Sequence, residues 1–179
     1  MTMIAAQDQP VVPLNLGAAP GPLPVPEADI VSFLHYEARL ADEARYSEWE
    51  QLWDDDALYW VPMRPDDDPA KKLSYIYDNR NRIKSRVAQL NTGNRHSQTP
   101  PSVMRRLLSN MEVTDTDATA GTVTVASNFA LFEYRYTQRV WAGRVVHQVR
   151  RTPDGLRLVH KTVHLISAGG PVDTLAFLI

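Results

Sequence analysis

The sequence predicts an α+β fold in which helices pack on one face of a strongly curved, mainly antiparallel sheet. Three observations predict it. Helical periodicity dominates the first half, from Glu27 to about Gly93. After Pro101 apolar residues alternate with polar ones almost to the last residues. Turn signals such as Thr152-Pro153-Asp154-Gly155 divide that second half into long strands. Helices first and antiparallel strands afterwards make one layer of each. A bent sheet around a long first helix gives an open cone.

Residues 1–26 read as a Pro-rich N-terminal arm and 27–179 as a single domain. Six prolines and two glycines between Asp8 and Pro26 exclude a helix or a central strand there. The arm is either extended and polyproline-like, lying on the domain or a neighbour, or a disordered tail.

Pro26 suits a first helical position, and Glu27 and Asp29 put negative charge at the helix N-terminus. Ile30, Phe33, Leu34, Leu40, Ala41 and Ala44 form its apolar stripe. Ser47 and Glu50 have capping-box spacing for a second short helix, with Trp49, Leu52 and Trp53 behind it. Ala57–Met63 reads as a strand in which Pro62 marks an edge or the exit, and Pro65–Pro69 as a solvated loop. Asp78 is the expected cap of a third helix with Ile83, Val87 and Leu90 inward and Gly93 as its stop. Leu107, Met111 and Val113 share one strand face, and Val123, Val125, Phe129 and Leu131 another. The apolar parity then flips at Leu131–Phe132, which predicts a β-bulge. Trp141, Val145 and Val149 face the core from the next strand. The last strand carries Leu156, Leu158, His160, Thr162, His164 and Ile166 on one parity.

Composition narrows the function. The 19 basic and 21 acidic residues give a formal net charge of −2, against an electrostatic nucleic-acid binder. No apolar run approaches the ~18 residues of a membrane span, and the first residues lack the basic and apolar segments of a secretion signal. A cytoplasmic protein is expected. With no cysteine, the chain cannot hold a thiolate-bound iron–sulfur cluster, a sulfur-based zinc site or a disulfide.

Candidate chemistry is sparse. His160 and His164 have the spacing of two ligands on a helix, but on a strand they stand about 13 Å apart, so no metal site is expected. Glu37 falls within the first helix's apolar stripe. Buried there it is either a general base with a raised pKa or, the preferred reading, an ion pair with an arginine of the sheet or a subunit contact. Asp54, Asp55 and Asp56 read as a solvated turn. Tyr75 and Tyr77, the Arg80/Arg82 face, the pairs Arg105–Arg106 and Arg150–Arg151, and Phe177 and Leu178 of the run Leu175–Ile179 are candidates for subunit contact.

Five segments carry a resemblance to a known family: FLHYEARLADEARYSEW (Phe33–Trp49), DALYWVPM, DNRNRIKSRVAQLNTG (Asp78–Gly93), HSQTPPSVMRRLLSNMEV (His96–Val113) and WAGRVVHQVRR (Trp141–Arg151). Together with the apolar C-terminal run they resemble the β (small) subunits of bacterial aromatic-ring-hydroxylating dioxygenases, over about residues 27–166. The resemblance implies a cystatin-like cone of the nuclear transport factor 2 type. It also implies an α3β3 assembly whose α (large) subunit carries the Rieske [2Fe-2S] cluster and mononuclear Fe(II), with electrons ultimately from NAD(P)H. On this reading the β subunit is structural, with no catalytic, cofactor or metal residues of its own and no nucleic-acid or membrane partner. The Pro-rich arm and the segment ISAGGPVDTLAFLI depart from the family pattern. Two other readings stand beside it. One is a free-standing isomerase or dehydratase using the cone's cavity, with Glu37, Tyr59, His96 and His147 as its candidates. The other is a dimeric binding module.

Overall fold

The structure, a computed structural model, describes residues 27–93, 100–170, 172 and 175–179. Three helices, α1 (Glu27–Asp42), α2 (Tyr46–Gln51) and α3 (Arg80–Asn91), accompany six strands: β1 (Trp53–Pro62), β2 (Ser74–Asn79), β3 (Val103–Asp117), β4 (Thr122–Arg135), β5 (Thr137–Thr152) and β6 (Gly155–Leu165). The strands form one sheet in the order β2-β1-β6-β5-β4-β3. Every pairing is antiparallel except β1 with β6, so the α+β expectation holds. The helices cover one face. Ile30, Leu34, Leu40 and Ala41 of α1 and Ile83, Val87 and Leu90 of α3 join Tyr59, Leu131, Trp141, Val149 and Leu158 in a single core.

The helices form close to where the periodicity places them, but their ends differ. Residue 44 lies beyond α1 in the left-handed region (φ 57°) and exposed, outside the apolar stripe assigned to it. Arg45 N–H reaches Leu40 O (2.9 Å) and Ala44 N–H reaches Ala41 O (3.4 Å), the paired bonds that close a helix over a left-handed residue. The Ser47–Glu50 capping box does not form. Ser47 is already helical, Arg45 is the N-cap without a side-chain cap, and Arg45 instead binds Glu48. Asp78 does not cap α3 either. Asn79 does, accepting from Arg82 N–H at 3.1 Å, while Asp78 is buried at the end of β2 and paired with Arg86 (2.6 Å) and Arg82 (3.2 Å). β2 itself goes beyond the sequence reading, which placed Tyr75 and Tyr77 ahead of a helix without a strand.

β1 begins four residues earlier than expected. Asp54, Asp55 and Asp56 are therefore strand residues, in a register gap between Trp53↔Leu158 and Leu58↔His160, and do not form a solvated turn. The same irregularity appears in β6, where Val149↔Leu158 is followed by Gln148↔His160, leaving Val159 as an extra residue. The bulge switches faces. Leu158 lies inward, but beyond it Lys161, Val163 and Leu165 face the core while His160, Thr162 and His164 share the other side.

β3 holds a similar correction. Ser109↔Asn128 is followed by Glu112↔Ala126, with Asn110 at φ 52°, so Leu107 faces outward while Met111 and Val113 pack on the core. The bulge predicted at Leu131–Phe132 is absent. β4 pairs with both neighbours without a shift there; Phe132 and Tyr134 simply occupy the outer face. Gly143 marks the tightest strand contact: a Cβ there would lie 2.0 Å from the His164 carbonyl oxygen. At the predicted turn, Thr152 Oγ1 bonds Gly155 O (2.9 Å) and Gly155 takes φ 113°.

Candidate functional site

The concave side of the sheet holds a buried polar cluster assembled from four elements. Glu37 comes from α1, Trp49 from α2, His147 from β5 and Lys161 from β6. Glu37 Oε1 accepts from Lys161 Nζ at 2.9 Å and from Trp49 Nε1 at 2.6 Å. Both charged side chains are almost fully buried. His147 and Lys161 are cross-strand partners, which is why both enter the same space. Burial alone would raise the Glu37 carboxyl; opposing charge, that of Lys161 foremost, overcomes this and takes it down to about 2. Burial pushes His147 down to about 3, leaving a neutral imidazole with neither ring nitrogen hydrogen-bonded among the described residues.

Three of the four candidate catalytic residues thus reach the interior, each in a form that differs from a poised acid or base. Glu37 is a paired carboxylate with a lowered pKa, and its partner is a lysine of the sheet where an arginine was expected. Tyr59 is buried with its hydroxyl pushed upward by burial. It donates to Ile179 O (2.7 Å) and accepts from Ile179 N–H (3.0 Å). His147 has no hydrogen-bond partner among the described residues. His96 lies outside the described residues. The space between Glu37, Arg106, His147, Lys161 and Ile179 amounts to about 10 Å³, at the lower limit for one water molecule.

Lys161 is the residue the sequence reading missed. Its signal was present in the odd positions Val159, Lys161, Val163 and Leu165, a lone cation among apolar residues, once the bulge is allowed for.

The subunit-contact candidates divide. Phe177 and Leu178 are buried in this chain's own core, Phe177 edge-on to Trp141 at 5.6 Å, and so present no outer surface. Arg106 is likewise internal. Its guanidinium and backbone N–H both bind Asp42 (2.7 Å each), and Nη2 reaches Leu178 O (2.8 Å). Arg150 bridges Asp54 (2.7 Å) and Asp56 (2.8 Å) within the chain, holding Asp56 below the usual carboxylate range. Arg80 pairs with Glu50 at 2.8 Å. Arg82, Arg105 and Arg151 are exposed. Tyr77 is exposed beside Trp60, and Tyr75 is half-buried against the core.

Residues 36–168 match the family of the ring hydroxylating beta subunit. The chain belongs to that family. It is 28% identical over 144 residues to the 2-halobenzoate 1,2-dioxygenase small subunit of Burkholderia cepacia, covering 76% of this chain and 86% of that one. The β subunit of benzoate 1,2-dioxygenase from Burkholderia mallei superimposes with a TM-score of 0.72 at 26% identity, covering 86% of this chain and 98% of the other. An NTF2-like protein with a cystatin-like fold from Novosphingobium aromaticivorans shares the fold alone (TM-score 0.54, 22% identity, 86% and 88% covered). As a ring-hydroxylating β subunit the chain is a component of an oxidoreductase whose β subunits partner with α oxygenase subunits. The Rieske cluster does not fit this chain's residues, because such a cluster needs two cysteine thiolates and the sequence has none. No described helix is long and apolar enough to cross a membrane.

Proposed function

We propose that this chain is the structural small subunit of an aromatic-ring-hydroxylating dioxygenase of α3β3 composition. In this reading the large subunit holds the Rieske cluster and mononuclear Fe(II), receives electrons originating in NAD(P)H, and adds dioxygen to an aromatic compound in its catabolism, in the cytoplasm. The small subunit performs no chemistry. The observation that carries this division of labour is the filled interior of the cone. An organic substrate needs several hundred Å³, against about 10 Å³ inside the cone beside Glu37 and His147; the larger hollows, about 410 Å³ beside His35 and Arg39 and about 320 Å³ beside Val103 and Tyr134, are grooves away from those candidates. The Glu37–Lys161 pair, the Tyr59 hydroxyl engaged by Ile179 and the three helices take the place of a cavity. Among the described residues, no three His, Cys, Asp or Glu side chains gather as a metal site would require.

Co-expression with the cognate large subunit tests the reading. A native mass matching three copies of each chain, with all iron in the large subunit, is the expected result. Stoichiometric iron in the purified small subunit after a chelator wash, or turnover of an aromatic substrate by it alone, overturns it.

A further inference from the structure

His147 stands on β5 with its ring inside the cone, 1% exposed, and both ring nitrogens lack a hydrogen-bond partner among the described residues. Leaving a buried polar atom unsatisfied is costly, and ordered water commonly supplies the missing partner. The imidazole borders the small space it shares with Glu37, Arg106 and Lys161, which apolar side chains such as Phe129, Val145 and Val163 close on the other sides. At about 10 Å³ that space reaches the lower limit for one water and excludes anything larger. Voids that stay dry are apolar throughout, whereas four of these walls carry polar heads.

Charge narrows the occupant further. Lys161 is compensated by Glu37 at 2.9 Å and Arg106 by Asp42 at 2.7 Å, so the polar walls carry no net charge. An ion placed there would be buried without a counter-charge. A neutral molecule would not. Hydrogen-bonding capacity is also left over. The ammonium of Lys161 has three donors; one goes to Glu37 Oε1, and the group also lies over the Tyr59 ring at 5.7 Å. Glu37 Oε1 takes the bonds from both Lys161 and Trp49, and neither falls on Oε2. The neutral imidazole presents one N–H and one lone pair.

We propose that this space holds one internal water molecule, which accepts from Lys161 Nζ and donates to the unprotonated ring nitrogen of His147. Register sets up the geometry. His147 of β5 lies opposite Lys161 of β6, while the lysine head is drawn aside to Glu37 of α1, and the water spans the resulting gap. The site belongs to this chain's own interior and stands independently of the oxygenase reading.

The test uses the full-length chain. A high-resolution crystal structure is expected to show one solvent peak about 2.7–3.2 Å from both Lys161 Nζ and a His147 ring nitrogen. In solution, histidine-labelled protein should give a cross-peak between water and the His147 ring protons. Val163→Ile adds a methyl to the wall, so both signals should vanish and the melting temperature should fall by roughly 2–4 °C as the water is displaced. Should that variant fail to fold, Val145→Ile makes the same comparison from the opposite strand. A wild-type chain with neither the solvent peak nor the cross-peak overturns the proposal, and a lower melting temperature in the variant then reports overpacking alone. A solvent peak out of hydrogen-bonding reach of His147 overturns it as well. So does a higher melting temperature in the variant, which marks a dry void being filled.

Discussion

Lys161 Nζ lies 2.9 Å from Glu37 Oε1 across 124 residues of sequence, and both side chains are buried. This pair joins the first helix to the last strand, so its removal acts on the whole domain. Lys161→Met leaves an uncompensated buried carboxylate and should cost about 3–5 kcal/mol. Adding Glu37→Gln removes that charge while keeping an oxygen for Trp49 Nε1. The double variant should therefore recover most of the loss. Denaturant unfolding of wild type, both single variants and the double variant measures this as a coupling energy.

Acid sensitivity should begin with His147 and continue with Glu37. The imidazole's folded pKa, about 3, lies below its ordinary 6.5. The unfolded chain therefore binds a proton first, and stability falls as pH drops from about 6.5 toward 3. Glu37, depressed from 4.5 to about 2, adds a second loss between those values. His147→Leu removes a polar ring with no hydrogen-bond partner among the described residues and should flatten the first limb without lowering stability at pH 7. Melting temperature against pH separates the two limbs; an unchanged slope between pH 6 and 4 in the variant contradicts the assignment.

Ala44 is expected to be a site of easy gain. It adopts φ 57° as the residue that closes α1, where an L side chain is strained. Ala44→Gly relieves that strain at some cost in unfolded-chain entropy. A net stabilisation of about 0.5–1 kcal/mol follows, seen as a melting temperature higher by roughly 2 °C.

Gly143→Ala should act in the opposite direction. The added methyl meets backbone, the His164 carbonyl, and β5 and β6 cannot separate there without disturbing the Gly143↔Leu165 register. A loss of about 1–3 kcal/mol is expected, measurable by thermal unfolding.

Sequence periodicity located all three helices and the long strands because those elements repeat over many residues. Glu37 was visible as a charge inside an apolar stripe. Its partner was hidden because the extra residue at Val159 inverts parity midway along β6, and nothing in HKTVHL announces a bulge. The reverse error arose at Phe132 and Tyr134. An apolar outer face spells the same letters as a register slip, and only pairing with β3 and β5 on both sides tells them apart. Ser74–Asn79 escaped notice since six residues running straight into a helix leave little room for alternation. Asp54–Asp56 read as a turn because three consecutive carboxylates rarely sit in a strand without a cation such as Arg150, which lies ~95 residues further on.

The parallel pairing of β1 with β6 has a consequence for how the domain is made. Trp53–Trp60 must meet Leu158–Thr162, so the sheet's two pieces, β1–β2 and the β3–β6 meander, can be joined only after residue 162 has been synthesised. Until then the flank of β1 that will receive β6 remains an open edge, and so does that flank of β6 itself. Closing a loop of about 100 residues is slow compared with forming the hairpins between β3 and β6. Folding should therefore show a rapid phase for the meander and a slower stitching step. The interval between them is when these unpaired edges are most prone to pair with the wrong chain.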